Sequence, residues 1–190
     1  MSDIFVDNIK HQSSQGSGTI TLGASGEKIT TATGAEFSQV TGQNYPAFRV
    51  ALGGDITLSD NAHTIVPFDR VVLDTNSGYS TTDDRYTVPT GGAGKYFIGW
   101  RLIGNCQTNN TMNYMDTYLK LNGSNVSYQI FHATGNPLLQ MSITPSTILD
   151  LAEGDYIQIQ VRIDKTSGSP LLRGHETIDE SIFYAYRLGA

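Results

Sequence analysis

The sequence holds one cysteine, six prolines and only twelve lysines and arginines, with no long apolar run. The single thiol, Cys106, cannot close an internal disulfide, and nothing stands beside it at metal-ligand spacing, so stability must come from packing or assembly. The basic residues are scattered and outnumbered, giving a net charge of −6. A nucleic-acid surface gathers Lys and Arg on one face, so that class of partner is excluded. No stretch approaches the ~20 apolar residues of a bilayer span, and membrane insertion is not expected. The opening Met1-Ser2-Asp3-Ile4-Phe5-Val6-Asp7 lacks the basic region and long apolar segment of a secretory leader, which predicts synthesis in a cytoplasm. Ala/Leu/Glu/Lys stretches at helical spacing are missing too. The nearest helix candidate, Pro145 to Leu151, is short and reads as a loop leading into a strand.

What is abundant is glycine (20) and tyrosine (10), with many Ser and Thr, a composition suited to strands and turns. At 190 residues the chain suits one domain with an appendage. Residues 1–44 carry few large apolar side chains, among them Phe5, Val6, Ile9, Ile20, Leu22 and Ile29, set in Gly, Ser, Thr and Gln. Two or three thin strands of this kind cannot bury a core alone. They must lean on something else as an attachment segment, or serve as a flexible linker.

From Tyr45 onward the strands come regularly. They are expected at Pro46–Leu52, Thr64–Phe68, Arg70–Leu73, Arg85–Pro89, Lys95–Ile103, Tyr114–Leu121, Val126–His132, Leu138–Ile143, Tyr156–Ile163 and Ser181–Leu188. Asn122-Gly123 is a strong hairpin signal between two of them. Nine or ten short strands separated by turns are the mark of an all-β sandwich or jelly roll. In Tyr156 to Ile163 the odd-numbered residues are apolar, so one face packs and the other is wet. Met115, Thr117, Leu119 and Leu121 behave likewise, with Asp116, Tyr118 and Lys120 expected outward. The strands around Tyr96–Ile103 and Ile182–Leu188 are apolar on both faces, and the second face needs a cover. A subunit interface through Tyr96, Ile98, Trp100, Tyr184, Tyr186 and Leu188 is the preferred reading; the N-terminal segment folded back is the other.

No catalytic constellation emerges, and the chain is expected not to be an enzyme. His11, His63, His132 and His175 lack ligand spacing, and His132 is placed on the apolar side of its strand. Gly91-Gly92-Ala93-Gly94-Lys95 fails as a phosphate loop because Tyr96 replaces Ser/Thr and a strand follows. Asp83 and Asp84 could offer carboxylates to calcium, but no loop supplies the six or more oxygens needed. No cofactor or metal is therefore expected, calcium being the nearest candidate.

Phe68-Asp69-Arg70-Val71-Val72-Leu73-Asp74-Thr75-Asn76, Gly78-Tyr79, Tyr86-Thr87-Val88-Pro89 and Gly94-Lys95-Tyr96-Phe97 follow one another in a recognisable order. Leu151-Ala152-Glu153-Gly154-Asp155-Tyr156-Ile157 and Ser181 to Leu188 continue it. In that order they resemble the domain of the complement component 1q and tumour necrosis factor type, over about Tyr45 to Ala190. Ala185 stands where glycine is usual, Tyr86 replaces Phe, and Gly91-Gly92-Ala93 lengthens a loop. The resemblance implies a ten-stranded jelly roll assembled as a threefold homotrimer. The collagen repeat of the animal proteins is missing. Phe5-Val6-Asp7-Asn8-Ile9-Lys10-His11 and the Gly/Ser/Thr stretch after it resemble instead the N-termini of tailed-phage virion proteins.

Together these readings predict an attachment segment at 1–44 and a jelly roll at 45–190. The expected function is a non-enzymatic trimer on a virion surface, bound to capsid or tail proteins as decoration, head fibre or fibre tip. A free lectin-like or receptor-binding trimer of cellular origin is the alternative. Loops bearing Tyr79, Asp83, Asp84, Arg85, Asn109, Asn110 and His175 are the expected contacts with a host glycan or protein.

Overall fold

The computed structural model describes residues 46–133 and 135–189. The anchoring residues Phe5, Val6, Ile9, Ile20, Leu22 and Ile29, and the boundary at 44, lie outside the described residues. Within them the chain is all β, with no helix and fourteen strands: β1 Ala47–Ala51, β2 Ile56–Thr57, β3 Thr64–Ile65, β4 Arg70–Asp74, β5 Tyr79–Ser80, β6 Arg85–Thr87, β7 Gly94–Asn105, β8 Met112–Leu121, β9 Ser124–His132, β10 Gln140–Ile143, β11 Ser146–Leu151, β12 Tyr156–Lys165, β13 Leu171–Leu172 and β14 Ile182–Gly189.

They form two antiparallel sheets. The larger has eight strands, ordered β2-β13-β7-β14-β1-β4, with β10 and β11 on the other edge of β7. The smaller has six, ordered β5-β6-β12-β8-β9, with β3 added to β12. Of the four strands beyond the ten expected, β2, β5 and β13 are only two residues long and gave no periodic signal to read; the fourth is β11. Pro145 to Leu151 is not a loop. Apart from the proline it is β11, which continues β10 along β7 after a break at Thr144-Pro145. Proline has no N–H to give to the ladder, and its carbonyl accepts from the Trp100 amide at 3.2 Å.

The hairpin forms where expected. Asn122 and Gly123 both take positive φ, 50° and 82°, as a two-residue primed turn requires. Leu121 is thereby set opposite Ser124.

Period-two patterning fills the interior. Ile157, Ile159, Val161 and Ile163 from β12 meet Phe48, Ile98, Trp100 and Phe183 from the other sheet. Phe48 stacks on Tyr86 at 4.2 Å and meets Phe183 edge-on at 4.9 Å. Trp100 is fully buried, and its indole N–H donates to the Thr117 hydroxyl at 3.1 Å, a polar tie between the two sheets. Each such aromatic removes roughly 150–250 Å² from water, which makes this cluster the main source of stability.

Candidate functional site

The eight-stranded sheet has a second, outward face, and the register of its strands shows what lies there. Side chains opposite one another on neighbouring strands share a face. One row across the sheet is Ile148, Phe97, Tyr186 and Ala47; the next is Ser146, Gly99, Tyr184, Arg49 and Leu73. Gly99 serves the second row: a Cβ there would fall 2.5 Å from the Tyr184 ring. The tyrosine lies over a strand position that must be bare. Phe97 lies 5.4 Å from Tyr186 and 6.4 Å from Tyr184, making a continuous aromatic surface. Tyr186, Leu188, Ile148 and Leu73 are each about half exposed to water.

Of the six residues expected at a subunit interface, Tyr184, Tyr186 and Leu188 lie on the outward side of this sheet, Leu188 at an irregularity near the end of β14. Tyr96, Ile98 and Trp100 do not. They alternate with Phe97 and Gly99 along β7, point into the sandwich and are fully buried within one chain. Because both faces of β7 are apolar, composition could not tell which parity was inward. Phe97, Ile148 and Leu73 are the members that sequence reading missed. A glycine inside a run of large residues was the available signal, since it marks the face where another side chain must fit.

One end of this face is charged. Arg49 and Arg70 both bond the Asp179 carboxylate, and the Arg101 guanidinium donates to the backbone carbonyls of Asp179 and Glu180. Burial alone would raise the Asp179 pKa. The Arg70 hydrogen bond and the charges of Arg49, Arg70 and Arg101 outweigh it and hold the carboxyl below its ordinary range. The cluster pins the segment before β14 to the sheet.

The loop residues expected to meet a ligand are not gathered into one site. Tyr79 is in the core, 9% exposed and 5.8 Å from the Phe48 ring. The short strand β5 turns it inward after the Asp74 carboxylate has accepted the backbone N–H groups of Asn76, Gly78 and Tyr79. Asp83 is exposed and pairs with Arg85 at 3.5 Å, while Arg85 also lies over the Tyr156 ring at 4.8 Å. Burial first, then the Asp83 charge, raises Asp84. Asn109 and Asn110 are exposed at the end of the sandwich where β7 finishes. The Asp83 loop touches β12 at Gln158 and the Asn109 loop touches it at Thr166, about 25 Å apart along an extended strand. His175 is exposed, and its Nδ1 accepts the backbone N–H groups of Thr177 and Ile178 at 3.1 and 3.2 Å, a local turn.

Two further expectations are corrected. Asp116 belongs to the outward side of β8 yet is fully buried, because Arg162, its register partner on β12, lies against it. His132 does share the side of Tyr128 and Ile130 on its strand, but that side faces outward, leaving the histidine exposed and 5.3 Å from the Tyr114 ring rather than in the core. Cys106 is fully buried, and burial raises its thiol pKa. Among the described residues no group of three or more His, Cys, Asp or Glu side chains could hold a metal ion.

Neither a family profile nor a curated protein sequence matches the chain. Solved structures do. The globular domain of zebrafish complement 1qA protein is similar with a TM-score of 0.54 at 15% identity, covering 77% of this chain and 98% of that one. Murine APRIL is similar at pH 5.0 with a TM-score of 0.54 at 13% identity, and at pH 8.0 with 0.54 at 15%; both matches cover 76% of this chain and all of that one. At such identities the likeness concerns the fold alone, and the fold is the jelly roll of the complement component 1q and tumour necrosis factor type.

Proposed function

We propose that this chain is a non-enzymatic homotrimeric surface module of a tailed-phage virion. Residues 1–44 fix it to capsid or tail proteins, and it serves as capsid decoration, head fibre or fibre tip for host attachment. The observation that carries the assembly is the aromatic outward face of the eight-stranded sheet. Its half-exposed Tyr186, Leu188, Ile148 and Leu73 leave roughly 400 Å² of apolar surface in water, a size at which a contiguous patch is commonly functional. Covering it contributes about 10 kcal/mol per chain before the costs of association.

A closed ring of three needs two different patches on each chain, because its contacts are head-to-tail. The second patch is available at the sandwich edge. Phe131 of β9 shares the inward side with Met115 but is 47% exposed, and it lines an open recess with Leu138. Edge of one copy against face of the next uses both. The Asp74 and Asp179 carboxylates are spent on holding the fold, which favours a binding role over a catalytic one. The virion assignment rests on the resemblance of Phe5 to His11 and the stretch after it.

The test is the mass of the full-length protein in solution, followed by antibody labelling of intact particles. A threefold mass and labelled particles are expected. A monomer at high concentration would refute the trimer. A trimer found only free in the lysate would refute the virion role and favour the free recognition module.

A further inference from the structure

The outward face of the other, six-stranded sheet has a different chemistry. Its cross-strand rows are Gln160, Tyr118 and Tyr128; then Arg162, Asp116 and Ile130; then Asp164, Tyr114 and His132. Tyr118 and Tyr128 stack at 6.0 Å, with the His63 ring 5.4 Å from Tyr118 on the other side. Arg162 lies over the Tyr114 ring at 4.9 Å. Tyr128 is 66% exposed, a large aromatic left in water on a rigid strand.

Beneath these rings lies a carboxylate with capacity to spare. Asp116 is 0% exposed, and its Oδ2 accepts from Arg162 Nε at 2.9 Å and from the Tyr118 hydroxyl at 3.4 Å. Its Oδ1 is buried with no hydrogen-bond partner. Buried polar atoms are nearly always paired, and the Tyr118 hydroxyl, at a length beyond a normal O–H···O⁻ bond, holds its place weakly. The fold thus leaves one acceptor on this face unfilled.

The charges of the face cancel: Asp116 and Asp164 are matched by Arg162 and Lys120, all on the same side by register. A phosphate chain or acidic polymer finds no net attraction there. What the face offers is flat rings for C–H stacking, with carboxylate, guanidinium and amide groups at their rims to take and give hydrogen bonds. Tyr114, about 13 Å from Tyr118 along β8, has the Arg162 guanidinium over its ring, so it extends the polar rim rather than the stacking platform.

We propose that this face binds a neutral oligosaccharide, stacked on Tyr128 and Tyr118, with one of its hydroxyls donating to Asp116 Oδ1. The site lies on the opposite sheet from the aromatic trimer face and does not depend on it.

The test applies the full-length protein to an array of immobilised neutral oligosaccharides, with wild type, Tyr128→Ala, Tyr128→Phe and Asn109→Ala/Asn110→Ala compared. Wild type is expected to be retained saturably by at least one glycan. Tyr128→Ala should weaken that binding about tenfold, the loss of one stacked ring. Tyr128→Phe should restore most of it, and the loop variant should bind as wild type. Retention on no glycan would overturn the proposal, as would binding indifferent to Tyr128→Ala or lost in the loop variant. Light scattering on each variant separates the readings: a change of mass in Tyr128→Ala would make this face a subunit contact and also end the proposal. A monomeric wild type that still binds glycan would sink the trimer alone.

Discussion

Tyr186 and Ile98 share one pair of neighbouring strands and face opposite ways, so substituting each in turn tests the assignment of faces. Tyr186 is 45% exposed, which leaves roughly 90 Å² of a tyrosine in water, worth about 2 kcal/mol when a neighbour covers it. Three copies in a ring give about 6 kcal/mol, or roughly a ten-thousand-fold drop in the trimer association constant for Tyr186→Ala. The chain's own stability should fall by about 1–2 kcal/mol as well, since the half-buried ring packs on Phe97 within one subunit. Ile98 is fully buried, so Ile98→Ala should cost about 2–5 kcal/mol of folding stability. Light scattering over a dilution series reads the first effect, and urea unfolding at several protein concentrations reads the second. Wild-type unfolding should shift with concentration, as expected when folding and association are linked, and that shift should vanish in Tyr186→Ala. If Tyr186→Ala keeps the wild-type mass at every dilution while Ile98→Ala falls apart into folded monomers, the assignment of faces is wrong.

Two more outcomes follow from single bonds. Thr117→Val removes the hydroxyl that accepts the Trp100 indole N–H and should lower stability by about 1–3 kcal/mol, read by thermal melting with the fold unchanged. Asp179→Asn should cost about 1–2 kcal/mol at neutral pH, because charged hydrogen bonds to Arg49 and Arg70 are lost. The folded carboxyl titrates below its unfolded value, so the wild-type advantage should be constant above about pH 4 and shrink only as pH falls further through the lowered pKa. An advantage that persists unchanged into strong acid would refute the assignment.

The jelly roll was legible wherever one face of a strand is dry and the other wet. Ile157, Ile159, Val161 and Ile163 announce their own orientation, and Asn122-Gly123 announces a hairpin through the φ values it alone tolerates well. Orientation was illegible in β7, where Tyr96, Ile98 and Trp100 alternate with Phe97 and a glycine. There hydrophobicity has no preferred side, and only the partner strands decide. Asp116 was placed on the right side of its strand, but its burial was illegible for a related reason. Its cover, Arg162, is 46 residues away in sequence and opposite it only by register. Tyr79 was misplaced because a two-residue strand has no period, and its inward turn is set by the Asp74 carboxylate gripping the loop backbone. The candidate faces are therefore products of pairing between strands, and no local window contains them.

The one tryptophan of the chain sits at the centre of the sandwich with its indole N–H held by Thr117. Its fluorescence thus comes from a dry, rigid site that neither outward sheet face reaches. Emission from Trp100 should shift to the red when the sandwich opens and stay still when subunits part or a sugar docks. The molecule therefore carries an optical probe that reports folding separately from association and binding, with no label added.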